Sequence, residues 1–179
     1  MTAKESLWTS VLKPVAVLLA ICLLSGLVLS AVNSVTAPVI AANEEAEALA
    51  TYSALLPEAD RFLELSSGVE GVSAVLKAEN GAGYIVVAAA RGYAGDVPAA
   101  VAFDNSGTIL RVTMMDNEET VNIGSRVTEE AFSGQFSGLP ARELDYADVD
   151  AVSNATYSSK AAVEAINLAI EAYQEVRGN

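Results

Sequence analysis

From Pro14 to Asn43 the chain carries no charged residue, and the core of that stretch reads PVAVLLAICLLSGLVLSAV. Nothing else in the sequence limits the fold so strongly. About twenty apolar residues in a row cross the hydrocarbon core of a bilayer as a helix, which satisfies every backbone hydrogen bond within the segment. Pro14 suits the first turn, where its missing N–H is no loss. Trp8 precedes the run, where an interfacial aromatic belongs. Lys4 and Lys13 lie before the span, and Glu44, Glu45 and Glu47 follow it. That asymmetry predicts a cytoplasmic N-terminus and an extracytoplasmic remainder. The competing reading is a cleaved signal peptide with VTA at 35–37 as its site, but such apolar regions are shorter than this one. Cys22 lies inside the span behind Ile21, which is not small enough for a lipoprotein site, so Cys22 reads as an apolar side chain. The expected organisation is 1–13 cytoplasmic, 14–32 a transmembrane helix, 33–66 a connecting helical segment and 67–179 the extracytoplasmic domain.

Charge and residue inventory remove whole classes of function. Ten Lys and Arg stand against 23 Asp and Glu, a formal charge of −13 that repels nucleic acid. The chain has no His, which removes Ser-His-Asp and Cys-His catalysis and the usual zinc ligand sets. One cysteine makes neither an internal disulfide nor a CxxC pair. No independent catalytic site and no metal site are expected, and redox chemistry would need a bound cofactor.

The domain after the span alternates strand-like segments with turn signals. AANEEAEALATYSALLP reads as a helix ending at Pro57, with Leu49, Tyr52, Leu55 and Leu56 on one face. GVSAVLKAE, YIVVAAARGY, DVPAAVAFD and TILRVTMMDN are separated by NGAG and NSG, which predicts a meander of about four antiparallel strands. Pro98 implies an edge position or a strand start. Thr128 is a candidate N-cap before Glu129 and Glu130. SSKAAVEAINLAIEAYQEV closes the chain with Val163, Ile166, Ile170, Tyr173 and Val176 at helical spacing, and Ser158 or Ser159 as the expected cap. The fold class is α+β: an N-terminal transmembrane helix, then an antiparallel sheet with packed helices.

SNATYSS at 153–159 precedes that last helix. A helix N-terminus presents free amides and the positive end of the helix dipole, so it suits an anion such as phosphate. Ser153, Thr156, Ser158 and Ser159 add hydroxyls, and Lys160 adds a positive charge. The same residues also read as an ordinary N-cap with a polar loop.

Asp150-Ala151-Val152-Ser153-Asn154-Ala155-Thr156 resembles the flavinylation motif Asp-x-x-Ser/Thr-Gly-Ala-Thr/Ser of the covalent FMN-binding domain family. That family includes the G subunit of the Rnf electron-transport complex and the C subunit of the sodium-pumping NADH:quinone reductase. GYAGDVPAAVAFD at 92–104 and ETVNIGSRV at 119–127 are similar to two further motifs, Gly-Tyr-x-Gly-x-Ile and Glu-Thr-Pro-Gly-Leu-Gly. Length and the lack of further domains favour the Rnf G subunit. Departures are Asn154 and Asn122 for Gly, Val121 for Pro and Ile123 for Leu. Asn is the residue that best replaces Gly at left-handed backbone angles, so both turns are expected to survive.

The resemblance implies an FMN bound by a phosphoester to Thr156, with Ser153, Asn154, Ala155, Ser158, Ser159, Lys160 and Asp150 around it. It also implies that Glu119 and Thr120 approach the flavin ring, although ETVNIG reads equally as a loop that only closes the sheet. Tyr93 could stack on such a ring, but a Tyr near a sheet edge is more often just packing. A separate magnesium-dependent flavin transferase would install the group from FAD. The implied setting is a bacterial or archaeal membrane, with the other membrane and peripheral subunits of an ion-translocating ferredoxin:NAD oxidoreductase as partners. The other readings are an extracellular electron-transfer flavoprotein outside such a complex and an anchored, non-redox anion-binding domain.

Overall fold

A computed structural model describes residues 11–178. Lys4, Trp8 and Asn179 lie outside the described residues. The chain forms two compact units, one ending at Ala48 and one from Leu49 onward.

The first unit is the greater part of helix α1 (Lys13–Leu55). Every described side chain from 11 to 47 is exposed, Leu18 and Leu29 among them. No described residue buries this apolar surface, so water is the wrong solvent for it. Among the described residues α1 alone is long and apolar enough to cross a membrane. At 1.5 Å per residue its 43 residues reach about 65 Å, twice the thickness of a hydrocarbon core. The Ser34 and Thr36 hydroxyls donate to the carbonyls of Ala31 and Val32, at 2.8 and 3.1 Å. Both are thereby satisfied without water.

The second unit is built on one antiparallel sheet of β1 (Phe62–Leu65), β2 (Val72–Ala78), β3 (Tyr84–Arg91), β4 (Asp96–Phe103) and β5 (Ile109–Met114), in sequence order. The sequence predicts about four of these. The fifth is β1, whose four residues FLEL are too short to show a period. β3 is buried on both faces, and its alternation splits the domain into two cores. Tyr84, Val86, Ala88 and Ala90 face one, with α3 (Thr156–Gly178), while Ile85 and Val87 face the other, with Leu55 and Leu56. Tyr52 borders the second core, and Leu49, expected on the same face, is exposed. Pro98 lies in a central strand, but near its start, where β5 has ended. Its carbonyl accepts from the N–H of Met115, just past that strand, and the N–H it lacks costs no ladder bond.

α3 lays Val163, Ile166, Ile170 and Tyr173 on β3 and β4, as the spacing predicts. Ala161, Ala162, Ala165, Ala169 and Ala172 are also buried, and their small side chains let the helix approach closely. Tyr173 stacks on Phe103 at 4.4 Å and donates to the Asp104 carbonyl at 2.8 Å. The TEEAFSGQFSG segment makes one α-helical turn, α2 (Glu130–Ser133), followed directly by a 3-10 turn at Gly134–Phe136. The N-cap of α2 is Glu129, without a side-chain bond, whereas Thr128 donates instead to the Ser125 carbonyl.

Candidate functional site

The last helix begins without a side-chain cap. Ser159 N–H donates to the Ala155 carbonyl at 2.9 Å, the first bond of α3, which puts Ala155 at the N-cap. Alanine has no side-chain oxygen to offer. The amides of Thr156, Tyr157 and Ser158 therefore find no acceptor among the described residues. Ser158 and Ser159, the expected caps, lie within the first turn and are buried. Ser158 Oγ donates to Glu119 Oε2 at 2.6 Å, and Ser159 Oγ accepts the Val152 N–H at 3.1 Å. Both hydroxyls point inward and leave the helix end open.

Two turns of one design flank this end. Ala155 N–H closes on the Val152 carbonyl at 3.0 Å, with Asn154 third in the turn at φ 65°. Ile123 N–H closes on the Thr120 carbonyl at 3.1 Å, with Asn122 third at φ 62°. These are the only non-glycine residues with left-handed backbone among the described residues. The expectation that Asn keeps the geometry of the motif's glycines holds at both.

Glu119 joins the three motifs. It is 4% exposed. Its Oε1 accepts from the amides of Ala94 and Gly95 at 3.0 and 3.4 Å, and its Oε2 accepts from the Ser158 hydroxyl. Burial works to raise its pKa, but the hydrogen bonds from Ser158, Ala94 and Gly95 outweigh it and hold the carboxyl below its usual range. The glycines make room for this group. A Cβ at Gly124 would stand 2.6 Å from both Glu119 Oε2 and Ser158 Oγ, and one at Gly92 would collide with Glu119 Oε1.

Beside this junction is a cleft of about 250 Å³, lined by Tyr93, Glu119, Thr120, Ile123, Gly124 and residues 154–158. The Tyr93 and Tyr157 rings, both about 70% exposed, stand 6.2 Å apart at 46°. Thr156 is exposed on the lining, and its hydroxyl makes no hydrogen bond with a described residue. The structure thus brings Glu119, Thr120, Asn154, Ala155, Thr156 and Ser158 together. Ser153 lies exposed in the turn. Ser159 is buried behind the cleft. Lys160 extends over the Tyr146 ring at 5.3 Å, away from the lining. Asp150 bonds through its backbone to Gln135, at 2.8 and 3.3 Å, and its side chain caps no amide among the described residues. Sequence reasoning missed Tyr157, Ile123 and Gly124 as lining residues. It also missed the Ser158–Glu119 bond, because two residues 39 apart leave no signal in a single sequence.

Comparison with known proteins agrees with the resemblance read from the sequence. Residues 92–171 match the FMN-binding domain family. The chain is 27% identical over 157 residues to the G subunit of the proton-translocating ferredoxin:NAD(+) oxidoreductase complex of Clostridium ljungdahlii, a match that covers 84% of each chain. It is 26% identical over 95 residues to the G subunit of the Na(+)-translocating ferredoxin:NAD(+) oxidoreductase complex of Acetobacterium woodii, covering 48% of this chain and 45% of that one. Among solved structures, the C subunit of the Na(+)-translocating NADH-quinone reductase of Parabacteroides distasonis shares the fold at TM-score 0.50 and 19% identity. That match covers 60% of this chain and 62% of the other, under two thirds of its length.

Proposed function

We propose that this chain, which carries an FMN-binding domain over residues 92–171, is a membrane-anchored flavoprotein that holds FMN covalently on Thr156. It relays electrons within an ion-translocating ferredoxin:NAD oxidoreductase complex, coupled there to transport of sodium ions or protons. The carrying observation is the exposed Thr156 hydroxyl, without a partner among the described residues, at the first position of the last helix and inside the cleft the three motifs build. The residues present fit the group. The amides of Thr156, Tyr157 and Ser158 would hold its phosphate. The bare backbone of Gly124 and the Tyr93–Tyr157 pair would receive its ring. When bound, the flavin supplies one- and two-electron chemistry that no side chain of this protein can perform.

Thr156 needs no base of its own, and the carboxylate on the lining, Glu119, is engaged by Ser158, Ala94 and Gly95. In the installation step a transferase would join Thr156 Oγ to the FMN phosphorus of FAD, break the diphosphate bond and release AMP. The hydroxyl proton would leave to the transferase. The anchor is α1, with the domain outside the cytoplasm and the N-terminus inside, following the lysines before the span and the glutamates after it. A helix without a charge between Pro14 and Asn43 offers no ion path of its own, so pumping falls to other subunits.

Coexpression with a flavin transferase and intact-protein mass spectrometry test the reading. Wild type should gain one FMN less one water, mapped to the peptide holding Thr156. Thr156→Val should gain nothing, and Thr156→Ser should keep part of the loading. The fold should survive both at a cost of roughly 1 kcal/mol or less. Unchanged labelling of Thr156→Val would place the flavin elsewhere.

A further inference from the structure

Among the described residues Glu119 is the only charged side chain lining the cleft. It is buried and has no cationic partner among them; three neutral donors hold it. Lys160, the nearest cation in sequence to the acceptor, points to Tyr146 instead. A carboxylate neutralised by an ion pair projects little field. One held by an O–H and two N–H groups keeps its full charge, and in low-dielectric surroundings that charge is felt at close range.

We propose that Glu119 sets the reduction potential of the flavin, as a fixed negative charge that opposes the charge the cofactor gains on reduction. This rests on reading the cleft as the flavin site. The direction follows from electrostatics: an uncompensated anion beside the ring destabilises the reduced form and lowers the potential. The network also keeps the charge from moving. Oε1 is fixed by the Ala94 and Gly95 amides and Oε2 by Ser158. Since Ser158 is two residues from Thr156, the helix end that presents the acceptor is fixed to the same carboxylate.

Glu119→Gln isolates charge from geometry. The amide oxygen can accept from Ala94 and Gly95, and the amide NH₂ can donate to Ser158, whose hydroxyl rotates to accept. Glu118→Gln is the control, since it removes an equal charge from the exposed neighbouring residue, where water screens it. All three full-length proteins are coexpressed with the transferase and purified in detergent, and covalent flavin is quantified by mass. Midpoint potentials are then measured by equilibration with reference dyes. The expected result, read on the covalently loaded fraction of each protein, is a raised potential in Glu119→Gln and the wild-type potential in Glu118→Gln. An unchanged potential in a loaded Glu119→Gln protein overturns the proposal, as does an equal rise in both variants. Loss of loading in a folded Glu119→Gln protein overturns it too, because the charge would then serve acceptor presentation. Carbon-13 NMR of the wild-type apoprotein is an independent check. The Glu119 carboxyl should be ionised at neutral pH, and a protonated carboxyl there also overturns the proposal. Wild type without covalent flavin would instead mean that the reading of the site has failed.

Discussion

The asparagines at 122 and 154 show how far a motif can drift while its backbone stays fixed. Each occupies the third position of a turn at φ near 60°, where glycine is free, asparagine is tolerated and β-branched residues are strained. Asn154→Gly should load flavin as well as wild type. Asn154→Val should load less and lose roughly 1–3 kcal/mol of stability. Equal loading and equal urea midpoints across the three proteins would refute this. The two turns were legible in the sequence because the residue types report backbone angles. The carboxylate between them was not. Glu119 stood in a motif, but its partners Ala94, Gly95 and Ser158 are 24 to 39 residues away and carry no pattern that names them. Its pKa gives a prediction with a sign. A folded-state value below the ordinary range adds stability that is fully present above the unfolded-state pKa and is lost as pH falls through the folded one. Wild type should therefore lose stability more steeply in acid than Glu119→Gln, as measured by urea midpoints across pH.

Helix α3 performs two tasks that pull on different residues. Its interior face was plain in the spacing of Val163, Ile166, Ile170 and Tyr173, and Ile166→Ala should cost about 2–5 kcal/mol by thermal or urea unfolding. Its first turn misled, because hydroxyl residues before an apolar period read as caps. The buried Ser158 and Ser159 serve other partners, and an alanine holds the cap position. An uncapped helix forgoes about 1 kcal/mol. Ala155→Ser should restore it, since a serine oxygen at that position can accept from the free amides. The apoprotein should become more stable by about that amount and should take up less flavin, because the cap competes with the phosphate. A variant that gains stability at undiminished loading would show that the amides do not hold the phosphate. At the same scale β1 escaped notice, being four residues long, and the cap expected at Thr128 falls instead on Glu129, just before α2.

For the whole molecule, the sequence was most legible where composition alone decides. The uncharged run from Pro14 onward gives α1, and a reporter active only outside the cytoplasm, fused after Asn179, should be active. Activity only from an N-terminal fusion would invert the topology. The class and the meander were likewise visible in turn signals and alternation. The site was visible as three separate motifs, and only the fold joins them. Thr156 sits on the last helix, its cleft on two loops far upstream, and the bonds that join them span up to 39 residues. The proposed acceptor site therefore exists only once both loops and the last helix have packed together. A truncated or misfolded chain still contains the letters of the motif, but not the open helix end or the turn beside it. If the transferase reads that surface, attachment acts as a quality stamp. The yellow fraction of a preparation then counts the molecules that have finished folding, and the cell commits no flavin to the ones that have not.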